Sequence, residues 1–402
     1  MEQVYILDGA RTAFGAFGQS FRQVSARELG LISAKEALLR AAVDAAEIDH
    51  VIYGNVIQSG IDAAYTARHI ALQAGVPIES PALIVNRVCG SGMQAIISSV
   101  QSIQLKEAGM VLAGGTENMS QAPHADFTSR FGGMKLGHIQ LEDMLLHTLT
   151  DHYIGCGMGI TAENIAAAYD ISREAQDAYA LLSHERAAKA SSTGMLGKEI
   201  VGVEVQTRSG SQSIQQDELI RSDSSMAQLG KLRAAFQKDG SVTAGNASGM
   251  NDGAVSMVLA GEHRLAGRQP LARIVSWGIA GVAPELMGLG PVPAARMALT
   301  RAGLVMADID LVEINEAFAV QYLAVEQELG LNRERTNVNG GAIAIGHPLG
   351  ASGARIVLTL AYELRRQGKR FGLAAICVGG GQGMAVVIEN SKWKYTPSNL
   401  SE

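Results

Sequence analysis

Short apolar runs alternate with helix-like patterns from the first residues of the chain. Strand-like runs occur at residues 4–8, 51–57, 82–86 and 110–113. Between them, apolar residues recur every three or four positions, at residues 26–43, at residues 64–74 and in the stretch after Cys89. This β-α-β-α-β-α-β order predicts a mainly parallel sheet covered by helices on both faces.

The same alternation returns near residue 270. Strand-like runs occur at residues 273–277, 310–314 and 373–377, and helical patterns at residues 294–302, 317–329 and 352–366. A glycine-rich turn then predicts a hairpin into a last strand at 384–388. Residues 48–55 faintly resemble residues 309–315, which indicates two similar halves.

Between the halves, residues 118–250 lose the strand rhythm and become rich in Met, Ser, Gly, Gln and His. Helical patterns remain at 161–169 and 173–191. A long irregular segment inside a compact chain is more often functional than idle, although it can be decoration. We predict an inserted, loop-rich segment here.

Composition agrees with an α/β fold. Of 402 residues, 47% are hydrophobic but only 5% aromatic, and 46 are glycine, which favours closely packed elements joined by tight turns. The net charge of −6 gives no global basic field for nucleic acid, although a local basic cluster can still hold a phosphorylated ligand.

Cysteine usage and the chain ends predict a cytoplasmic protein. Three cysteines without a Cys-x-x-Cys pair cannot form a disulfide framework and favour a reducing compartment. The N-terminus is strand-like rather than a signal peptide, no apolar run is long enough to span a membrane, and residues 399–402 match no obvious address signal.

Cys89 lies at a glycine-rich elbow between a predicted strand and a predicted helix. The first free N–H groups of a helix lower the pKa of a nearby thiol, so we expect an activated sulfur. The alternative is a small buried apolar residue, which is the usual role of a free cysteine.

Three further residues follow strand ends or tight turns. His347 lies in a Gly/Pro turn and is either a base for a nearby thiol or a partner of local carbonyls. Cys377 precedes a glycine run and is either a second acid/base or a buried strand end. Asn315 opens a helix and is either an N-cap or the holder of a water or carbonyl.

These elements suit one convergent site. Residues 245–253 are dense in small residues and either admit a slender ligand or form a turn cluster. The chain has no His/Cys set at zinc spacing and no Gly-x-x-x-x-Gly-Lys-Ser/Thr loop, so we expect no metal site and no phosphate-binding loop of that type.

Together these stretches resemble the thiolases, specifically the acetyl-CoA acetyltransferase branch. The resemblance runs essentially end to end and is carried by residues 86–93, 245–253, 315–318, 337–353 and 377–383. It implies two similar βαβαβαββ halves that form a five-layered α-β-α-β-α core with an inserted loop domain, in a homodimer or homotetramer.

With that family fold we expect four parts along the chain. Residues 1–117 would be the first part of the N-terminal half and residues 118–250 the loop domain. Residues 251–270 would return to the N-terminal half, and residues 271–402 would form the C-terminal half.

The resemblance also implies catalytic roles. Cys89 would take the acyl group, His347 would activate Cys89, and Cys377 would remove a proton from the α-carbon of the second acyl-CoA. Asn315 would hold a water that forms one oxyanion hole with His347. The N–H groups of Cys89 and Gly379 would form the other.

Further residues would contact coenzyme A, which is expected as a substrate with no tightly bound cofactor. The resemblance places the pantetheine arm beside Leu149, Met158, Ala247, Ser248, Ala317 and Phe318. It places Arg221, Ser225 and Lys231 near the nucleotide end, although Arg221 can equally be a solvated surface charge.

One position departs from the acetyl-specific pattern. Gly157, between Cys156 and Met158, stands where that branch usually has a histidine that lines the pantetheine and acyl pocket. We expect a looser pocket that accepts longer 3-ketoacyl chains, with Cys156 a neutral pocket or packing residue.

The leading hypothesis is a thiolase that condenses two acetyl-CoA to acetoacetyl-CoA and catalyses the reverse thiolysis. The alternatives are a broader 3-ketoacyl-CoA thiolase of fatty-acid degradation and, from another class, a non-catalytic acyl-CoA-binding scaffold. Ketoacyl synthases and hydroxymethylglutaryl-CoA synthase share the fold but have no second thiol in the role expected of Cys377.

Overall fold

A computed structural model of the chain describes residues 2–133, 135–207 and 210–393. The C-terminal residues 399–402, which match no obvious address signal in the sequence, lie outside these ranges. Within these ranges, no helix is both long and apolar enough to cross a membrane.

The N-terminal part alternates strands and helices. Its elements are β1 (Val4–Thr12), β2 (Gly15–Ala16), α1 (Ala26–Arg40), β3 (His50–Gly54), α2 (Thr66–Gln73), β4 (Ala82–Val85), α3 (Ser91–Gln104) and β5 (Met110–Asn118). A capping box starts α1, because the Ser25 hydroxyl accepts from the Glu28 amide while the Glu28 carboxylate accepts from the Ser25 amide.

The middle segment contains short strands and two long helices. Its elements are β6 (His124–Ala125), β7 (Glu142–Asp143), α4 (Met144–Thr148), β8 (Thr150–Asp151), β9 (Cys156–Gly157), α5 (Met158–Tyr169), α6 (Arg173–Ser192), β10 (Ile200–Val201), β11 (Val203–Thr207), β12 (Gly210–Ile214) and α7 (Met226–Leu229). Most of these strands pair only with each other, but β10 joins the main sheet beside β1.

The alternation of strands and helices resumes at residue 251. The elements are β13 (Asn251–Gly261), β14 (Ala272–Gly281), α8 (Pro291–Ala302), β15 (Leu311–Ile314), α9 (Ala319–Leu329), α10 (Ala342–Ile345), α11 (Leu349–Gln367), β16 (Phe371–Val378) and β17 (Gln382–Asn390). The four-part division of the chain at residues 117, 250 and 270 stays a prediction.

The strands form one large mixed sheet in the order β15-β16-β17-β14-β1-β13-β5-β3-β4. The expectation of a mainly parallel sheet is wrong. Among the described residues, only the β3–β4, β3–β5, β15–β16 and β1–β10 pairs are parallel, and β1 joins the two halves by antiparallel pairing with β14. Alternation along the sequence did not reveal this, because β13 and β17 return antiparallel beside the preceding parallel strands.

The strands of the two halves supply two layers, and the helices supply the other three. The central layer is α3 and α11, which pack on each other; α11 also contacts β5 of one half and β16 of the other. Helices α1 and α2 cover the outer face of the N-terminal half, and α8 with α9 covers that of the C-terminal half. The expected thiolase-like layering is confirmed.

The internal repeat is visible in matching aspartates. Asp49 precedes β3, and its carboxylate accepts from the amides of Gly109 and Met110 where β5 begins. Asp310 precedes β15 and accepts in the same way from the amides of Arg370 and Phe371 where β16 begins. The faint sequence similarity therefore marks the same hydrogen-bond arrangement between neighbouring strands in each half.

Glycines allow the central layer to pack backbone against backbone. A Cβ on Gly92 of α3 would lie 2.7 Å from the Gly350 carbonyl oxygen of α11, and a Cβ on Gly353 would lie 2.6 Å from the Met93 nitrogen. A Cβ on Gly115 of β5 would overlap the same Gly350 carbonyl. The helices and the strand can approach this closely only without side chains.

We predict that Gly115→Ala lowers the free energy of unfolding by about 2 kcal/mol or more, since the new methyl group must displace the backbone of α11. Urea denaturation followed by circular dichroism measures this. Gly197→Ala is the matched control, because no atom lies within 4 Å of a Cβ at that glycine. Equal stability of the two variants would contradict the role of the contact.

Candidate active site

Cys89 lies in a tightly bonded elbow between β4 and α3. The Ser91 hydroxyl accepts from the Arg87 amide at 2.8 Å and donates to the Val88 carbonyl at 2.7 Å. Val88 has a positive φ of 44°, a conformation that β-branched residues avoid and that structures retain where the surroundings enforce it. The elbow therefore holds the thiol in one place.

The end of β16 packs against this elbow. The backbone N–H groups of Gly379 and of Cys89 itself face the Cys89 sulfur and lower its pKa. Cys377, two residues before Gly379, is 1% exposed. Burial raises its pKa and the charge of a Cys89 thiolate raises it further, so the two thiols are electrostatic neighbours.

The expectation that its position lowers the pKa of Cys89 is wrong. Burial of the sulfur raises its pKa to about 11; the two N–H groups oppose this shift, and the negative charge of Glu117 adds to it. Desolvation here exceeds the attraction of the helix N-terminus. A partner must therefore take the proton when the sulfur reacts.

Asn315 follows β15, next to the end of β16. Its amide donates to the Ala375 carbonyl at 2.9 Å, two residues before Cys377. Its side chain is fully buried, and neither Oδ1 nor Nδ2 has a hydrogen-bond partner in the described part of the protein. The helix starts later, at Ala319, with Phe318 as its N-cap, so the N-cap alternative for Asn315 is wrong.

His347 is held at the start of α11 by its backbone and by one ring nitrogen. Its amide donates to Asn251 Oδ1 at 2.9 Å, and its Nδ1 lies 2.6 Å from Ser352 Oγ. The other ring nitrogen, Nε2, is buried and has no partner among the described residues. Burial and the Arg355 charge lower the pKa of His347 to about 4, so the ring is neutral at pH 7.

The serine contact determines which nitrogen of His347 carries the proton. Ser352 Oγ also lies 2.8 Å from the Pro348 carbonyl oxygen, which can only accept. If the hydroxyl donated to Nδ1, two oxygen lone pairs would face each other at that distance. The arrangement that uses every hydrogen has Nδ1–H donating to Ser352 and leaves a lone pair on Nε2. His347 is therefore prepared to accept a proton.

Glu117 ties the N-terminus of α11 to the loop that follows β3. Its carboxylate accepts from the Gly350 amide at 2.8 Å and from the amides of Val56 and Ile57 at 3.1 Å. Burial raises its pKa to about 7, although these N–H groups oppose the shift. Leu349, next to Gly350, belongs to the small apolar cluster on which Cys89 packs, so His347 and Cys89 start neighbouring helices.

Several of the residues expected to contact coenzyme A surround this centre. Ala247 pairs with Phe318 in a β-bridge, and the Ser248 amide donates to the Ala317 carbonyl at 3.0 Å. On another side, a Cβ on Gly379 would lie 3.5 Å from Met158 Sδ. Leu149 accepts from the Met158 amide at 3.0 Å and contacts the same apolar cluster as Cys89.

A cleft of about 650 Å³ lies beside these residues expected to contact coenzyme A. Of the ten expected binding residues, only Ala247 and Arg221 line it. The Ser225 hydroxyl instead accepts from the Gln228 amide and caps α7. Lys231 is exposed and not in the cleft wall. The inner wall reaches Met250, whose neighbour Asn251 holds the His347 amide.

Gly157 leaves open space. Of the atoms in the described part of the chain, a Cβ there would have only the Leu149 carbonyl oxygen within 4 Å, at 3.6 Å, and its φ of −75° suits any residue. Cys156 beside it is half-buried, and burial followed by the charges of Asp151 and Glu285 raises its pKa, so it is neutral at pH 7.

Sequence reasoning missed three residues that hold the site together: Ser352, Asn251 and Glu117. Ser352 and Asn251 stood inside motifs noted for their glycines, where their polarity drew no attention. Glu117 carried no signal, since a single acidic residue at a strand end is ordinary. In residues 2–133, 135–207 and 210–393, no group of His, Cys, Asp or Glu could hold a metal ion.

Two family models match the chain. The model described as "Thiolase, N-terminal domain" matches residues 4–263, and "Thiolase, C-terminal domain" matches residues 268–390. A mitochondrial 3-ketoacyl-CoA thiolase of Homo sapiens is 49% identical over 96% of this chain and 98% of its own length. An acetyl-CoA acetyltransferase of Rhizobium meliloti (strain 1021) is 48% identical with the same coverage.

Solved structures agree. The human mitochondrial 3-ketoacyl-CoA thiolase in complex with CoA has a TM-score of 0.94 at 48% identity, and the match covers 97% of this chain and 98% of that one. The Bacillus anthracis acetyl-CoA acetyltransferase also has a TM-score of 0.94, at 45% identity, covering 97% and 99%.

We predict that Ser352→Ala slows alkylation of Cys89 by iodoacetamide at pH 7 roughly tenfold, because one lost hydrogen bond of about 1.4 kcal/mol no longer fixes the His347 tautomer. Peptide mass spectrometry measures the rate at this cysteine. Ser276→Ala is the control, since that buried hydroxyl donates only to the Ala298 carbonyl. An unchanged rate in Ser352→Ala would refute the tautomer assignment.

Proposed function

The chain belongs to the thiolase family, and on that premise we propose that it transfers acyl groups between coenzyme A thioesters through Cys89. The preferred reaction is condensation of two acetyl-CoA to acetoacetyl-CoA and CoA, with thiolysis as its reverse. The observation that carries the proposal is a pair of neighbouring thiols, the half-buried Cys89 and the buried Cys377, beside a helix start that presents the His347 Nε2, which has no partner among the described residues.

In the first half-reaction, His347 Nε2 takes the proton of Cys89, and the sulfur attacks the thioester carbonyl of acetyl-CoA. The N–H groups of Cys89 and Gly379 stabilise the tetrahedral oxyanion. The bond to the CoA sulfur then breaks, and the CoA thiolate takes the proton of Cys377. The raised pKa of Cys377 supports this order, since it is protonated at rest.

In the second half-reaction, the Cys377 thiolate removes a proton from the α-carbon of a second acetyl-CoA. Asn315, through a water, and the protonated His347 Nε2 stabilise the enolate oxygen. The enolate attacks the acyl group on Cys89, the C–S bond breaks, and Cys89 regains its proton from His347. The unpartnered Asn315 amide supports this role.

Variants that lack one of the two thiols are expected to be blocked at different steps of the reaction. Cys89→Ala should abolish both thiolysis and acetylation of the enzyme by acetyl-CoA. Cys377→Ala should still accumulate the acetyl-enzyme, seen by mass spectrometry, while condensation falls by a factor on the order of 10³, as expected when a general acid/base is lost.

Cys156→Ala is the matched control and should keep activity within about twofold of the unmodified enzyme, because that thiol is a packing residue. Thiolysis retained in Cys89→Ala would eliminate Cys89 as the nucleophile. An acetyl-enzyme absent from Cys377→Ala would contradict the proposed order, because it would make Cys377 essential to the first step.

The open space at Gly157 favours a second candidate, a broader 3-ketoacyl-CoA thiolase. The high identity to proteins named 3-ketoacyl-CoA thiolase supports it equally. We predict that the unmodified enzyme cleaves 3-ketooctanoyl-CoA with a kcat/KM near that for acetoacetyl-CoA. Gly157→His should lower the long-chain value at least roughly tenfold, since a ring in that space excludes several methylenes.

Gly157→Ala is the control, because a methyl group fits there without a clash. A steep collapse of kcat/KM with chain length in the unmodified enzyme would remove the second candidate and leave the acetyl-specific one.

The same proposal includes coenzyme A as a substrate with no tightly bound cofactor, a homodimer or homotetramer, and a cytoplasmic location. The exposed edge strand β4, with Leu83 43% exposed, supports pairing with a second copy.

A further inference from the structure

His184 lies in the wall of the 650 Å³ cleft, next to the segment that carries Arg221. It is on α6 and only 6% exposed. Its Nδ1 accepts a hydrogen bond of 3.2 Å from the Arg221 backbone amide. Because Nδ1 is the acceptor, the ring proton is on Nε2. The buried ring therefore holds the backbone of Arg221 at the cleft wall, and no catalytic step described above uses it.

The segment held by His184, residues 219–224, has few other hydrogen bonds, although Ile220 packs against the core. At one end the Asp217 carboxylate accepts from the Arg11 guanidinium at 2.6 Å and from the Phe14 amide at 2.8 Å. At the other end Ser225 caps α7. Between these anchors, the hydrogen bond to His184 is the one that the described residues show from this segment to another element.

Charge favours the same arrangement. Burial and the Arg221 guanidinium lower the pKa of His184 to about 4, so the ring is neutral at pH 7. A neutral ring keeps its Nδ1 lone pair for the Arg221 amide and does not repel the guanidinium. Arg221 itself is exposed at the cleft, where its charge can meet an anionic ligand.

We propose that His184 is a positioning residue for the nucleotide end of the acyl-CoA: its Nδ1 fixes residues 219–224 and thereby holds Arg221 where the phosphates bind. This inference rests on the proposed function, because it needs an acyl-CoA in the cleft. It assigns to His184 selectivity for coenzyme A over shorter thioesters, and no part in bond making.

The test compares acetoacetyl-CoA with acetoacetyl-pantetheine, which lacks the nucleotide. His184→Leu keeps bulk but removes the acceptor, so KM for acetoacetyl-CoA should rise roughly five- to tenfold, the effect of one lost hydrogen bond, with kcat nearly unchanged. KM for acetoacetyl-pantetheine should not change. His184→Asn should restore most of the lost affinity, because Asn Oδ1 can occupy the position of Nδ1.

Glu185→Gln, an exposed neighbour on α6, is the control and should behave as the unmodified enzyme. Thermal melting by circular dichroism identifies variants that fail to fold, and His184→Asn then carries the test. Equal changes of KM for both substrates, a fall in kcat alone, or His184→Asn no better than His184→Leu would each overturn the proposal.

A double-mutant cycle with Arg221→Ala tests whether His184 acts through Arg221. In that background, His184→Leu should cause no further rise in KM. A full additional rise would mean that His184 contacts the ligand itself and would overturn the positioning role. If the unmodified protein does not act on acetoacetyl-CoA, the proposed function fails; if it acts and His184→Leu has the unmodified KM, only this inference fails.

Discussion

The backbone contact between α3, α11 and β5 is the constraint on which the rest of the structure depends. Gly92, Gly115 and Gly350 meet without side chains, which lets the two central helices begin side by side. Because Cys89 precedes one helix and His347 the other, the contact brings a thiol and an imidazole from distant parts of the chain together. The same contact joins the two halves through one shared layer.

Burial also determines the protonation states of the groups in the site. It keeps all three central groups neutral at rest, since it raises the pKa of both thiols and lowers that of His347. A resting thiolate would itself accept from the N–H groups that stabilise the oxyanion and would compete with the substrate for them. Neutral groups that exchange protons only during the reaction reduce that competition.

Much of the fold was predictable because the residues that form each element are neighbours in sequence. Apolar spacing identified most helices and strands to within a few residues, although it missed the long strand β13 (Asn251–Gly261). The faint repeat around Asp49 and Asp310 indicated the two halves. Strand direction was not predictable in this way. The antiparallel return of β13 and β17 and the β1–β14 junction depend on pairing between distant segments, which periodicity does not encode.

The sequence by itself determined which side chains can do chemistry. Cys89, His347, Cys377 and Asn315 stood out because each follows a strand end or a tight turn, a local property. Only the tertiary structure decided their protonation states and the fixing of His347 by Ser352 and Asn251. Those depend on desolvation and on hydrogen bonds that form across space, between residues that the chain order keeps apart.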